Sequence, residues 1–285
     1  VKVIDWESGI LDAHLPDDTR AELLARIDTY CDTAPRATAR VEAHGALTLF
    51  VAQGGWPFYA RPALGRDTGP TTEEIRTVLA RQLELGVPRE LEWIHQTAPS
   101  LAETARLAGM TVHEFPLLVL GSLVEPPPAD GQVRLMDADD PQLGLVNAAV
   151  DVAFGTPGTA VGKAGVARRD KAMDTAEAAS RLDFRKEGLR AGRTVRAGAF
   201  VTGAGPVGGG GHNPRGAVSE IVGIGTLPAF RRRGLAGAIT HLLARQALSA
   251  GVSTVFCGAE SLAVARIYEQ VGFRRIGTVC LAEMD

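Results

Sequence analysis

The chain has 285 residues, 45% of them hydrophobic and 22% charged, with a formal net charge of −3 and an isoelectric point near 6.1. That length exceeds the usual span of one domain, roughly 100–200 residues, so two domains are expected. The composition excludes a disordered chain, and with acidic and basic residues interspersed throughout there is no basic stripe to suggest a nucleic-acid or anionic-membrane partner.

Cys31, Cys257 and Cys280 are too few for a paired disulfide framework and fit no zinc-ligand spacing, so buried thiols and no metal are expected. Val1–His14 mixes charges among its apolar residues, unlike the apolar core of a signal peptide or a membrane span, which makes the cytoplasm the expected compartment. Only four of the 30 basic residues are lysines (Lys2, Lys163, Lys171, Lys186), a bias typical of GC-rich bacterial coding sequences.

In chain order, the spacing of Leu23, Leu24 and Ile27 predicts a helix over Asp17–Cys31, and Ala46–Tyr59 reads as strands with a turn around Gly54-Gly55 and Pro57. Thr71 and Glu74 stand at capping-box spacing before a helix that runs through Ile75, Leu79 and Leu83 to Gly86. A strand near Leu91–His95, a helix over Ser100–Ala108 and a strand pair near Val112–Leu120 complete an N-terminal domain, residues 1–124. The proline run in Glu125–Gly131 reads as a stiff connector, leaving residues 132–285 as a second domain.

In that second half, strands are predicted at Val133–Met136, Thr194–Thr202, Pro206–His212, Val218–Thr226, Thr254–Cys257 and Arg275–Glu283. Helices are predicted over Pro141–Phe154, Ala176–Leu189, Gly234–Ala250 and Leu262–Gln270, with turns at Gly203-Ala204-Gly205 and Asn213–Gly216. The order strand, Ser-Leu-Ala, short helix, Gly, strand occurs twice, at Leu91–Val119 and Thr254–Leu281. This fits two halves of similar fold as well as it fits coincidence in an Ala- and Leu-rich chain.

The most informative segment is Glu220–Gly237, where a buried strand ends at Pro228, a basic turn Arg231-Arg232-Arg233 follows, and a helix opens at Gly234. A helix that begins on a glycine leaves its first N–H groups unpaired at the positive end of its dipole, an anion site suited to a pyrophosphate. Gly234 would let the phosphate approach closely, and small Ala236 and Gly237 would keep the entry open.

Arg231-x-x-Gly234-x-Ala236, with Tyr268-x-x-x-Gly272-Phe273 downstream, resembles the two signatures of the GNAT superfamily of acetyl-CoA-dependent N-acetyltransferases. The resemblance covers Val133–Asp285. It implies an α/β fold (mixed α+β) of two GNAT-like modules, each a mixed, mostly antiparallel twisted sheet flanked by helices, with the N-terminal module degenerate because it lacks the Arg-x-x-Gly turn. It further implies acetyl-CoA as cosubstrate and direct transfer of its acetyl group to the amine of a small molecule or a protein. A sensor that binds acyl-CoA without transfer is the rival reading, and a homo-oligomer is left open.

Residue by residue, the resemblance puts Ile224, Gly225 and Thr226 along the pantetheine arm. The pyrophosphate falls to Arg231, Arg232, Arg233, Gly234, Leu235, Ala236 and Gly237. Tyr268 matches the tyrosine that protonates the departing thiolate, and Glu220 stands where some members carry the general base. Ser261 replaces the asparagine many members have seven positions before the tyrosine; its hydroxyl could bond cofactor or cap the helix.

Other signals carry less. Gly208–Gly211 precedes no helix, so close approach of a strand or substrate explains it better than a phosphate loop. His212 reads as packing. Cys257 lacks a paired His motif and reads as core rather than nucleophile. Trp56, Phe58, Tyr59 and Trp93 could line a cleft, though aromatic core is the commoner role.

Overall fold

The computed structural model describes residues 17–54, 59–66 and 68–284. The readings of Val1–His14, Gly55, Trp56, Pro57, Phe58 and Asp67 fall outside them. The chain divides into two compact units, one formed by its beginning up to Leu117 together with Arg274–Asp285, the other by Leu118–Phe273. Across the described residues the protein is a mixed α/β fold whose sheet strands are mostly antiparallel.

The first unit contains α1 (Asp17–Thr33), β1 (Ala39–His44), β2 (Leu47–Ala52), β3 (Ala60–Pro62), α2 (Thr72–Glu84), β4 (Glu90–Ile94), α3 (Leu101–Leu107) and β5 (Thr111–Leu120, to Leu117). β1 to β3 form an antiparallel meander, and β3 runs parallel to β4 across the crossover helix α2. β5 is one ten-residue strand rather than the expected pair, with buried Pro116 inside it. Strand β1 was not foreseen because its alternation is carried by charged residues, Arg40 and Glu42 among them. Ile75, Val78 and Leu79 of α2 pack with Leu47, Leu49, Leu91 and Trp93 in the core of this unit.

The second unit contains β6 (Gln132–Met136), α4 (Leu143–Phe154), α5 (Val166–Met173), α6 (Ala176–Arg190), β7 (Val195–Val201), β8 (Gly205–Arg215), β9 (Val218–Thr226), α7 (Leu235–Ser249), β10 (Thr254–Gly258) and α8 (Leu262–Glu269). Its strand order is β10-β9-β8-β7-β6, parallel between β10 and β9 and antiparallel elsewhere. The last strand of the chain, β11 (Phe273–Glu283), runs antiparallel to β4 with Cys280 opposite Trp93. β8 continues through Asn213-Pro214-Arg215, where a turn was expected. Beyond His212 it pairs only with β9, so Pro214 sits on an open edge where no ladder N–H is missed.

Helix α7 buries Leu235, Ile239, Leu243 and Ala247, an i, i+4 stripe, against Ala197, Val207, Ile221 and Val255. Helix α4 lies on the sheet so closely that a Cβ on Gly198, Gly209 or Gly225 would come within 3.0 Å of Val146 or Ala153. The run Gly208–Gly211 is therefore a strand thinned to admit its neighbours: Val146 crowds Gly209, Ile224 and Ile239 crowd Gly210, and Arg196 crowds Gly211. The proline-rich segment is laid along α7, with Pro126 near Gly237, Pro128 and Ala129 at Gly234, and the Asp130 N–H donating to the Arg233 carbonyl at 2.9 Å.

Candidate functional site

Strands β9 and β10 share a register of only three pairs, Val218 with Thr254, Ser219 with Val255 and Glu220 with Phe256. β9 runs on for six residues to Thr226 without that neighbour. The break coincides with a bulge: between Gly209 and Gly211, β8 spends two steps where β9 spends three, from Val222 to Gly225. Gly223 takes φ +63° at this point, the left-handed geometry of a glycine bulge. A Gly-x-Gly within a strand rich in β-branched residues was the signal for it, and the sequence reading passed it over. The bulge bends β9 where it leaves β10, and Ile224 and Thr226, both half-buried, follow on the open side with buried Gly225 between them.

Thr226 leads through a short 3-10 turn, Pro228–Phe230, to the basic turn. Arg232 has φ +65°, the left-handed region that a side chain resists, and Gly234 follows at φ +73° as the N-cap of α7. As a glycine, this N-cap has no side chain to cap the helix. The N–H groups of Leu235, Ala236 and Gly237 open α7 at its positive dipole end, and exposed Arg232 stands beside them.

The other two arginines of the turn are engaged within the protein. The Arg231 guanidinium donates to the carbonyls of Ala153 and Ala160 at 3.2 Å, and also to that of Thr156. It thereby ties the turn to the segment after α4. The Gly162 N–H donates to the Pro228 carbonyl and the Ala229 N–H to the Ala164 carbonyl, both at 3.0 Å, which fastens the same segment again. Arg233 pairs with Asp130 at 3.2 Å and lies over the Phe230 ring. Of the three arginines of the turn, Arg232 is the exposed one. The glycines of the turn have close neighbours too: a Cβ at Gly234 would meet Pro128 and Ala129 at 3.1 Å, and one at Gly237 would meet Pro126 at 3.5 Å. Their small size admits the chain's own proline segment.

Ser261 begins α8, its hydroxyl accepting the Val264 N–H at 3.3 Å, so in place of the family asparagine it is a helix cap. Tyr268, on the last turn of α8, is buried and tilted against Phe273, ring centroids 5.9 Å apart. Burial pushes its phenol well above the ordinary value, helped by Cys257 and by the carboxylates of Glu260 and Glu220, so it stays protonated at neutral pH. The same Glu220 charge acts on Cys257, whose thiol is raised well above its ordinary range first by burial. A thiol held protonated is no nucleophile, in keeping with a packing role. Glu220 and Tyr268, separated by 48 positions in sequence, are thus brought within electrostatic reach. Glu260, which sequence reasoning did not single out, also accepts the Gly158 N–H at 3.1 Å; an exposed acid in a turn carries no sequence signal.

His212 is core. Its Nδ1 lies 2.7 Å from the Ser219 hydroxyl and its Nε2 bonds Gln246, and burial holds it below the ordinary histidine value. Trp93 is 1% exposed and packs in the first unit, which excludes it from any cleft. Among the described residues no group of three or more His, Cys, Asp or Glu could hold a metal, and no helix is long and apolar enough to cross a membrane.

The family profile of the acetyltransferase (GNAT) family matches residues 167–273, a stretch that holds the bulged strand, the basic turn, α7 and Tyr268. Among solved structures, the fold is similar to that of a GCN5-related N-acetyltransferase from Kribbella flavida, at 19% identity and TM-score 0.65 over 92% of this chain and 96% of that one. A GCN5-related N-acetyltransferase from Sphaerobacter thermophilus matches at 17% identity and TM-score 0.57 over 95% and 96%. A tandem GNAT protein from the clavulanic acid biosynthesis pathway matches at 14% identity and TM-score 0.50 over 94% and 95%. The sequence matches none of the curated proteins. Residues 167–273 therefore form an acetyltransferase domain of the GNAT family.

Proposed function

We propose that this protein is an N-acetyltransferase that moves the acetyl group of acetyl-CoA directly to an amine. The observation that carries the reading is the early end of the β9–β10 pairing at Glu220 and Phe256, followed by the uncapped start of α7. The freed backbone of Ile224, Gly225 and Thr226 offers hydrogen bonds to a pantetheine arm, and the first N–H groups of α7 with Arg232 suit a pyrophosphate.

In this mechanism Glu220 takes a proton from the acceptor amine, directly or through a water, so that the nitrogen lone pair can attack the thioester carbonyl. The C–S bond breaks as the C–N bond is completed. Tyr268, kept neutral by burial, gives its proton to the departing sulfur and is restored from solvent. No covalent enzyme intermediate is needed, so both substrates are bound together. The degenerate N-terminal module has no part in the chemistry.

The test is calorimetry with acetyl-CoA and with CoA, then release of free CoA across a panel of amines for the wild type and Tyr268→Phe. Tight binding with amine-dependent release that falls sharply in the variant supports the enzyme. Binding without turnover identifies a sensor, and no binding ends the reading.

A further inference from the structure

A buried cation on β7 is unused by this chemistry. Arg196 is 7% exposed. Opposite it stand Gly211 on β8 and, beyond, Val222 on β9. Its side chain crosses the sheet over these glycine positions: a Cβ on Gly211 would meet the Arg196 Cδ at 2.9 Å, and one on Gly223 would stand 3.7 Å from Nη1. The guanidinium therefore rests against the bulge of β9, on the face that Val222 shares by strand alternation with Glu220.

Among the described residues the guanidinium has no carboxylate paired with it. It donates to the Asn147 Oδ1 at 3.2 Å, while its Nε–H and the Asn147 Nδ2, both buried, meet no acceptor among the described residues. The nearby carboxylate, Asp151, is taken by Arg181 and Arg185 at 3.3 and 3.4 Å, and Arg181 also pairs with Glu177. The one half-buried carboxylate near Arg196 is thus held by two other guanidiniums. Burial and the neighbouring Arg185 push Arg196 down to about 10, which leaves it cationic at neutral pH. Burying an unpaired charge is costly, a penalty that a carboxylate bound across the guanidinium fork would offset.

We propose that Arg196, with Asn147, holds the carboxylate of the acceptor, so that the substrate class is an amine bearing a carboxylate, as in an amino acid. This rests on the acetyltransferase reading for the amine's fate but not for the anion site itself. Arg196 would orient the acceptor from its acidic end while the amine points along β9 toward Glu220.

The experiment is calorimetry of the full chain, with and without CoA, titrated with the common L-amino acids, β-alanine and γ-aminobutyrate, each beside its carboxamide. The expected result is that at least one carboxylate-bearing amine binds and its carboxamide binds about 10- to 100-fold more weakly, the size of a lost charged hydrogen bond. Arg196→Met should remove that preference, and Arg196→Lys should restore part of it. Equal binding of acid and amide, binding of amines without a carboxylate only, or no binding of any acid would overturn the proposal. If Arg196→Met does not fold, the wild-type acid-to-amide ratio decides alone. Acetyl-CoA titrated separately tells failure of the transferase reading from failure of the anion site.

Discussion

Helices α2 and α7 each follow a strand that runs parallel to the strand after the helix, β3 with β4 and β9 with β10, yet they begin in opposite ways. At α2 the Thr71 hydroxyl accepts the Glu74 N–H at 3.2 Å, and the Glu74 carboxylate accepts the Thr71 N–H at 2.7 Å and the Ala46 N–H at 3.0 Å. The positive helix end is filled by the chain's own acid. At α7 the cap is a glycine with no side chain to bond anything, and a strained arginine stands two residues before it. Closing the first start internally stabilises it, whereas the second is left without such a cap.

The helix–strand passages after them differ in the same sense. α3 and α8 are each followed by a glycine of positive φ, Gly109 at 95° and Gly272 at 103°. α8 carries Tyr268, whereas the matching position in α3 is Leu107 counted from Ser100, or Ala105 counted from Gly109. Neither can supply a proton.

The largest test of the contrast is Tyr268→Phe, which should lower kcat by about 10²–10⁴-fold, the range for a general acid, with acetyl-CoA affinity within about twofold of wild type. Free-CoA release and calorimetry on the same preparation separate the two effects. Next, Gly234→Val forces a β-branched side chain to φ +73° against Pro128 and Ala129. Acetyl-CoA binding should weaken about 100-fold or more, near 3 kcal/mol, while denaturant titration reports whether the fold survives.

In the first unit, Glu74→Gln should cost about 1–2 kcal/mol of stability at neutral pH and create no acetyl-CoA site. Hydrogen bonds, chiefly from the Thr71 N–H, hold the Glu74 carboxyl below its ordinary 4.5. Its contribution is therefore complete above that value and is lost as pH falls through the lowered folded-state value. Urea midpoints across that acid range should decline more steeply for wild type than for Glu74→Gln; parallel slopes would refute the role. The smallest effect belongs to Arg232→Gly. Relieving φ +65° should raise stability by roughly 0.5–1 kcal/mol. Acetyl-CoA affinity should drop by several-fold with the lost charge, as calorimetry would register.

Much of this contrast was legible in the residues. Thr71 and Glu74 are three apart, and the strand from Val218 to Thr226, the glycine start and the stripe of α7 were all readable, because capping and periodicity act over one helical turn. Helix α5 escaped notice since Val166–Met173 is dominated by charge, with little apolar repeat to reveal it. The single strand β5 was split in reading by Pro116.

The capping pair before α2, the glycine start of α7 and the apolar stripe of α7 could be read from residues a few positions apart, and Tyr268 stood out through its match to a family signature. It takes the folded chain to show that Arg231 and Arg233 are spent on Thr156 and Asp130 while Arg232 stays exposed, and that Gly234 faces the proline segment. The fold also shows that Arg196 lies across two glycines against β9 with no carboxylate paired with it among the described residues. A guanidinium finds its partner through space, and partners tens of positions away leave no mark in its local sequence.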